Sequence, residues 1–208
     1  MSKILIFSDI HSDLKSLARL MDTEADYYIA AGDLVNWEKG LEATGEIMQK
    51  RAGKLYVIPG NHESESGITQ FCNQFGFESL HGRSVELDGY HVAALGYSNP
   101  TPFNTPGEYS EVEIAQRLAP FATLKPLILI CHCPPKDTPL DGAKPGAHFG
   151  STAIAEFIAA HQPVRFYCGH IHECEGAVAQ MGVTVGQNVG RRGVLLDLQS
   201  LRLSSTSK

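Results

Sequence analysis

A chain of 208 residues, 43% of them hydrophobic and 19% charged, has the composition of an ordinary folded protein and the length of one domain spanning residues 1–208, which argues against disorder and repeats. Its formal charge of −6 comes without any run of Lys or Arg, so the electrostatic footprint for holding extended nucleic acid is missing. Few apolar residues precede Ser8 and no later stretch approaches a membrane span, so neither a signal segment nor a membrane partner is expected and the expected location is the cytoplasm.

In chain order, Ile4-Leu5-Ile6-Phe7 reads as a strand that stops at Ser8-Asp9-Ile10-His11. Leu14, Leu17, Ala18 and Met21 then recur at helical spacing, which predicts strand, loop and helix in quick succession. Alternate side chains of an extended segment share a face, at roughly 3.3 Å per residue, so Asp9 and His11 can aim at one point or at two neighbouring points. A hard oxygen beside a borderline nitrogen suits a metal ion. Taken alone, the same residues equally fit a solvated turn in which Ser12 or Asp13 caps the helix.

Asp26 to Ala31 is a second strand closing in Gly32-Asp33, and a helix is predicted between Gly40 and Arg51. Lys54 to Ile58 makes a third strand, stopped by Pro59-Gly60, with Asn61-His62-Glu63 at its tip. A helix carrying Ile68, Phe71, Cys72 and Phe75 follows, and then Ser84 to Leu87 and His91 to Gly96 form a hairpin about Asp88-Gly89. Gly96 to Glu108, with Pro100, Pro102 and Pro106, reads as a long ordered loop before a helix near Ser110 to Leu118. Pro126 to Cys131 is the most apolar strand and ends at His132; a second long loop runs to Gly150, and Ser151 caps a helix reaching about His161. Val164 to Cys168 is a strand ending in Gly169-His170-Ile171-His172. Candidate strands near Ala177, Val183 and Val194, with a hairpin near Gln199, look like a β-meander. The pattern predicts an α/β protein with two packed mixed sheets and helices outside.

Strand ends at Asp9/His11, Asp33, Asn61/His62, His132 and His170/His172 all carry residues able to bind or serve a metal, and such ends gather at one edge of an α/β sheet. Asp9-x-His11, Gly32-Asp33, Gly60-Asn61-His62-Glu63, His132 and Gly169-His170-x-His172 resemble, in order, the motifs of the calcineurin-like metallophosphoesterases. That resemblance implies a four-layer α/β/β/α sandwich with two divalent or mixed-valence transition-metal ions. Asp9, His11 and His172 would hold one ion, Asn61, His132 and His170 the other, and Asp33 would bridge. A carboxylate has two oxygens and can span ions about 3.5–4 Å apart, whereas Asn61 offers a neutral amide oxygen. Neutral imidazoles leave such a site cationic, which attracts phosphate, and the ions acidify water so that a hydroxide can attack phosphorus near neutral pH. The resemblance makes His62 the acid that protonates the departing oxygen.

Other residues carry weaker readings. Glu63 and Glu65 fit favourable charges in a first helical turn. Cys168, His170, His172 and Cys174 alternate as if for a structural zinc, but an extended segment would put its ends roughly 20 Å apart. The five cysteines, an odd number mostly in strand-like runs, are read as reduced thiols, with Cys131 and Cys133 packing as small hydrophobes. His148, just before a helix start, fits a phosphate or leaving-group contact as well as a loop role. His81, His91 and His161 carry no functional claim.

The reading is a dinuclear phosphoesterase acting on a small phosphomonoester or phosphodiester. Two alternatives stand beside it. One is a nuclease of the same fold, against which stand the acidic balance and the lack of aromatic residues interleaved with Lys or Arg. The other is a metal-binding interaction scaffold without turnover, which predicts eroded ligands. Mn, Fe, Zn, Co and Ni all accept this donor set. The iron-binding tyrosine of purple acid phosphatases has no match after Asp33, where Leu34-Val35-Asn36 stand. The loops Tyr97 to Tyr109 and Pro134 to Gly150 are expected to wall the cleft and set the substrate, and the oligomeric state is left open.

Overall fold

Strand β1 (Lys3–Phe7) shows how the layers arise. Alternate side chains of a strand face opposite ways, and here Leu5 and Phe7 enter one buried cluster while Ile4 and Ile6 enter another. A sheet apolar on both faces needs cover on both sides. In the computed structural model, which describes residues 2–144 and 146–205, helices cover the outer faces and the two sheets cover each other.

After β1 come α1 (Leu14–Asp22), β2 (Tyr27–Ala31), α2 (Leu41–Met48), β3 (Leu55–Ile58), α3 (Glu65–Phe75) and β4 (Glu78–Ser79). The hairpin of β5 (Arg83–Leu87) and β6 (Tyr90–Leu95) begins the second sheet. There follow α4 (Glu111–Leu118), β7 (Leu127–Cys131), a small hairpin of β8 (Gly142–Lys144) and β9 (Ala147–His148), and α5 (Thr152–His161). Strands β10 (Arg165–Cys168), β11 (Val178–Met181), β12 (Thr184–Asn188) and β13 (Val194–Asp197) lead to α6 (Leu198–Ser205). The first sheet has the order β13-β1-β2-β3-β4 and the second β11-β12-β10-β7-β6-β5. Both are mixed: β1, β2 and β3 run parallel with β13 antiparallel at one side, and β6, β7, β10 and β12 run parallel between antiparallel edges β5 and β11.

Leu17, Met48, Ile68 and Phe71 of α1 to α3 pack on Leu5, Phe7 and Val57 of the first sheet. On the second, Ile114, Leu118, Ile154 and Phe157 of α4 and α5 pack on Leu127, Leu129 and Phe166. Between the sheets, Ile4, Ile6, Ile29 and Ile58 meet Val92, Ile128, Ile130 and Tyr167. Each such side chain contributes about 1.5–3 kcal/mol on burial, so this middle layer is what holds the two sheets together. The expected α/β/β/α sandwich is therefore present.

Three details differ from the sequence reading. The buried stripe of α1 is Leu17, Leu20 and Met21, whereas Leu14, the first helical residue after the Asp13 cap, is 37% exposed. The tail is not a meander: β12 runs parallel to β10, and β13 crosses to the other sheet beside β1. No hairpin forms at Gln199, which lies in α6; Leu198 and Leu201, three residues apart, are buried in the inter-sheet layer, and Asp197 Oδ1 accepts from Gln199 N at 2.8 Å. Among the described residues no helix is long and apolar enough to cross a membrane.

Candidate metal centre

The carboxyl ends of β1, β2 and β3 release Asp9 and His11, Asp33, and Asn61; those of β7 and β10 release His132, and His170 with His172. Parallel strands place these ends on one edge of each sheet, and stacking brings the edges together. The chain must turn sharply there. Asp9, His11, Asp33 and His170 have φ of 56°, 46°, 52° and 66°, a left-handed backbone that non-glycine residues adopt at a cost of order 1–3 kcal/mol and that clusters at functional sites. The glycines of two motifs answer a different demand, close approach. A Cβ on Gly60 would collide with the Asp33 carboxylate, and one on Gly169 with the Ser8 hydroxyl and the Asp9 carboxylate.

All the expected ligands converge. Asp9, His11 and His172 form one group whose ligand atoms lie within 4.8 Å of one another, and Asp33, His132 and His170 form a second. In the first, His11 Nε2 is 2.9 Å from His172 Nε2, and His172 Nε2 is 3.6 Å from Asp9 Oδ1. In the second, His132 Nε2 is 3.1 Å from Asn61 Oδ1. Asp33 Oδ2 reaches both, at 3.5 Å from His11 Nε2 and 3.3 Å from His132 Nε2.

Hydrogen bonds on the far side of these groups determine what they offer. His11 Nδ1 donates to Asn36 Oδ1 at 2.7 Å and His132 Nδ1 to the Ala31 carbonyl at 2.9 Å. Asn61 Nδ2 donates to Thr105 Oγ1 at 3.2 Å. A neutral imidazole protonated at Nδ1 presents a bare lone pair at Nε2, and an amide committed through nitrogen presents its oxygen. With both rings neutral, His11 Nε2, His132 Nε2 and Asn61 Oδ1 are acceptors crowded around the Asp33 carboxylate, an arrangement that asks for positive charge among them. The protonation energetics point the same way. Burial opposes ionisation of Asp33, yet His132 and His11 hold its carboxyl well below the usual range. Burial likewise opposes charge on His132, but Asp33 and Asp9 push that imidazole up to about 9. His170 is driven down to about 4, by burial first and by His132 next.

The family model for calcineurin-like phosphoesterases matches residues 2–174. The chain belongs to this family. Its members are metal-dependent phosphoesterases. An uncharacterized protein of Methanocaldococcus jannaschii is 30% identical over 192 residues, 89% of this chain and 87% of that protein. A Thermus thermophilus structure has the same fold at 19% identity, with a TM-score of 0.72 and 96% of each chain covered. So has a dimetal phosphatase from Danio rerio, at 12% identity, a TM-score of 0.58, and 89% and 86% covered.

Other side chains brace this candidate centre, and one of them differs from its sequence reading. Glu63 is fully buried and is not part of a helical turn: Ser64 is the cap of α3, and Glu63 lies before it. Its Oε2 accepts from Asp33 N at 3.0 Å and Gly60 N at 2.7 Å, and its Oε1 from Val35 N at 3.0 Å, tying the tips of β2 and β3 together. Burial, and then Asp33, push its pKa up to about 8 against the pull of those amides. The signal available was Ser64 itself, since a serine cap puts the preceding acid outside the helix. Glu65 is the first-turn acid, as expected. Asn36 aims His11, and Thr105, whose hydroxyl donates to Glu108 Oε1 at 2.6 Å, aims Asn61. His62 N donates to Asp33 Oδ1 at 3.0 Å.

The zinc alternative does not form. Cys168 packs in the outer cluster of the second sheet, Cys174 Sγ donates to the Gly142 carbonyl, and among the described residues no sulfur joins a converging group. All the cysteines are buried free thiols. Above the centre opens a cleft of about 600 Å³, walled by Asn99 to Phe103 and by Lys136 and His148 to Gly150. These are the two loops expected to form it.

Proposed function

We propose that the chain is a dinuclear metal-dependent phosphoesterase that hydrolyses a small phosphomonoester or phosphodiester in this cleft. The observation that carries the reading is the pair of acceptor groups facing each other, with Asp33 Oδ2 within 3.5 Å of a ring nitrogen from each. Oxygen and imidazole donors fit Mn, Fe, Zn, Co or Ni. Asp9, His11 and His172 would hold one ion, Asn61, His132 and His170 the other, and Asp33 both. When bound, the ions supply water acidic enough to be a nucleophile near neutral pH and positive charge for phosphoryl oxygens.

The protein's own groups do the rest. Trp37 N donates to His62 Nδ1 at 3.4 Å, so the proton of the neutral ring sits on Nε2. His62 lines the cleft and groups with His11 and Asp33, which suits it to deliver that proton to a departing oxygen. Where the purple acid phosphatases have tyrosinate, Asn36 holds His11 instead, which supports a centre without tyrosinate-ligated iron. A cleft walled by two loops, in a chain of net charge −6, supports a small substrate over a nucleic acid strand.

The test is a screen of phosphomonoesters, phosphodiesters and cyclic nucleotides with metal-stripped protein reloaded by each metal, with metal content and melting temperature measured. Two ions per chain, a higher melting temperature on reloading, turnover that a chelator abolishes, and loss of at least one ion and of turnover in Asp33→Asn are expected. One tightly held ion with activity intact in Asp33→Asn refutes the dinuclear reading, and no turnover with any metal refutes the enzyme.

A further inference from the structure

The short hairpin of β8 and β9 carries a further histidine to the cleft, and nothing in the candidate metal centre uses it. His148 Nδ1 lies 2.7 Å from Asp141 Oδ1, and the His148 side chain is 37% exposed while the Asp141 side chain is wholly buried. Asp141 is held from several directions: Oδ1 accepts from Thr138 N at 2.9 Å, and Oδ2 from Asp137 N at 3.1 Å and Gly150 N at 3.0 Å. A buried carboxylate so fixed has one task left for its free lone pair, which is to take the Nδ1 proton of His148. That commits the other ring nitrogen, Nε2, to be the one a solute can meet. His148 lines the same cleft as His11, Asp33 and His62.

We propose that Asp141 and His148 form a substrate-binding pair, in which Asp141 positions the imidazole and His148 Nε2–H donates to a phosphoryl oxygen of the ester held at the metal centre. The proposal rests on the phosphoesterase reading of the cleft and adds a substrate contact outside the metal motifs. The charged groups near His148 are Asp141, Asp137 and Lys136, with Lys144 on the paired strand and Glu111 and His172 lining the cleft. The hydrogen bond to Asp141, and then its charge, raise the pKa of His148 above its ordinary value. The imidazolium is thus present on the acid side of that raised value and is lost as pH rises through it, so substrate binding should weaken along an alkaline limb.

The experiment uses the metal-loaded chain. His148→Gln can keep an N–H for Asp141 but cannot carry the charge that faces the phosphoryl oxygen; it should raise KM about 10- to 100-fold, the range of one hydrogen bond to a charged group, with kcat changed much less. Its kcat/KM profile should lose the alkaline limb. Asp141→Asn, if it folds, should keep the limb but move it to lower pH. In parallel, the ring resonances of His148 are followed by NMR in zinc-loaded wild type, zinc being diamagnetic, while inorganic phosphate is added. A shift of those resonances and a rise in the His148 pKa are expected. Unchanged KM and pH profile in His148→Gln, with resonances unmoved by phosphate, overturn the proposal while ester turnover by the wild type leaves the phosphoesterase reading standing. If no ester turns over, the NMR titration still decides whether His148 meets phosphate.

Discussion

Acid should destabilise the fold through His81. That residue is 8% exposed; its Nδ1 accepts from Gly96 N at 2.9 Å, and its Nε2 lies 3.1 Å from the Tyr109 hydroxyl. Burial, and then the charge of Arg117, drive its pKa from 6.5 to about 4. The folded chain thus keeps the ring neutral where the unfolded chain would protonate it. Between these values the unfolded state binds more protons, so stability is complete above the unfolded pKa and falls as pH drops toward the folded one. The full span is worth about 3 kcal/mol, of which about 2 kcal/mol is gone by pH 5. The perturbation is His81→Asn, whose amide oxygen can still accept from Gly96 N. Urea unfolding of both proteins at pH 8 and pH 5, with chelator throughout, isolates the term, because titrations at the metal centre are common to both. Wild type should lose about 2 kcal/mol more than the variant. Equal losses refute the assignment of a neutral buried ring.

His62→Ala should lower turnover of alkyl or nucleoside esters by about 10²–10⁴-fold but that of nitrophenyl esters far less, since an activated phenolate leaves unaided. A uniform loss across leaving groups of rising pKa, with metal content retained, refutes proton donation. Above pH 8, where Glu63 is ionised, Glu63→Gln turns an amide N–H₂ toward at least one backbone N–H that the carboxylate accepts, and should cost about 1–3 kcal/mol of stability. It should also weaken metal binding about 10- to 100-fold, as loss of a residue that orients ligands typically does. Urea unfolding and metal titration check both, and wild-type values in the two assays refute the role.

What could be read from the sequence was what local pattern controls. The apolar runs ending at Ser8, Gly32, Pro59 and His132 became strands because each is flanked by turn chemistry, and the residues after them converge because strand ends share an edge. Ile68, Phe71, Cys72 and Phe75 were foreseen as the buried face of α3 for the same reason. Hidden were the features decided by partners far along the chain. Glu63 serves Asp33 and Val35, 30 and 28 residues away, and spacing alone does not show that. Strand β13 reads as one more member of a C-terminal sheet until its pairing of Val194 to Asp197 with Ile6 to Lys3 is seen. The Leu198 and Leu201 spacing is a helical signal, which the reading of a hairpin near Gln199 passed over. At Asp13 the capping reading holds, and the same loop brings Asp9 and His11 into a group that could hold a metal.

Neither sheet holds a complete set of ligands for either ion in the proposed centre. Asp9 and His11 from the first sheet need His172 from the second, and Asn61 needs His132 and His170. The spacing between the halves is therefore set by the packing of Ile4, Ile6, Ile29 and Ile58 against Val92, Ile128 and Ile130, several residues below the site. Interiors packed at crystal-like density transmit small shifts instead of absorbing them. Direct bonds across the seam reinforce that spacing: His170 N donates to Asp9 Oδ1 at 3.0 Å, and Tyr97 N to the Pro59 carbonyl at 3.1 Å. Both bonds join segments that carry or abut ligands, so each half of the centre is positioned by the other as well as by its own strands. A sandwich of two sheets, with the glycines that let their ends touch, is what allows short motifs scattered from Asp9 to His172 to act on one point.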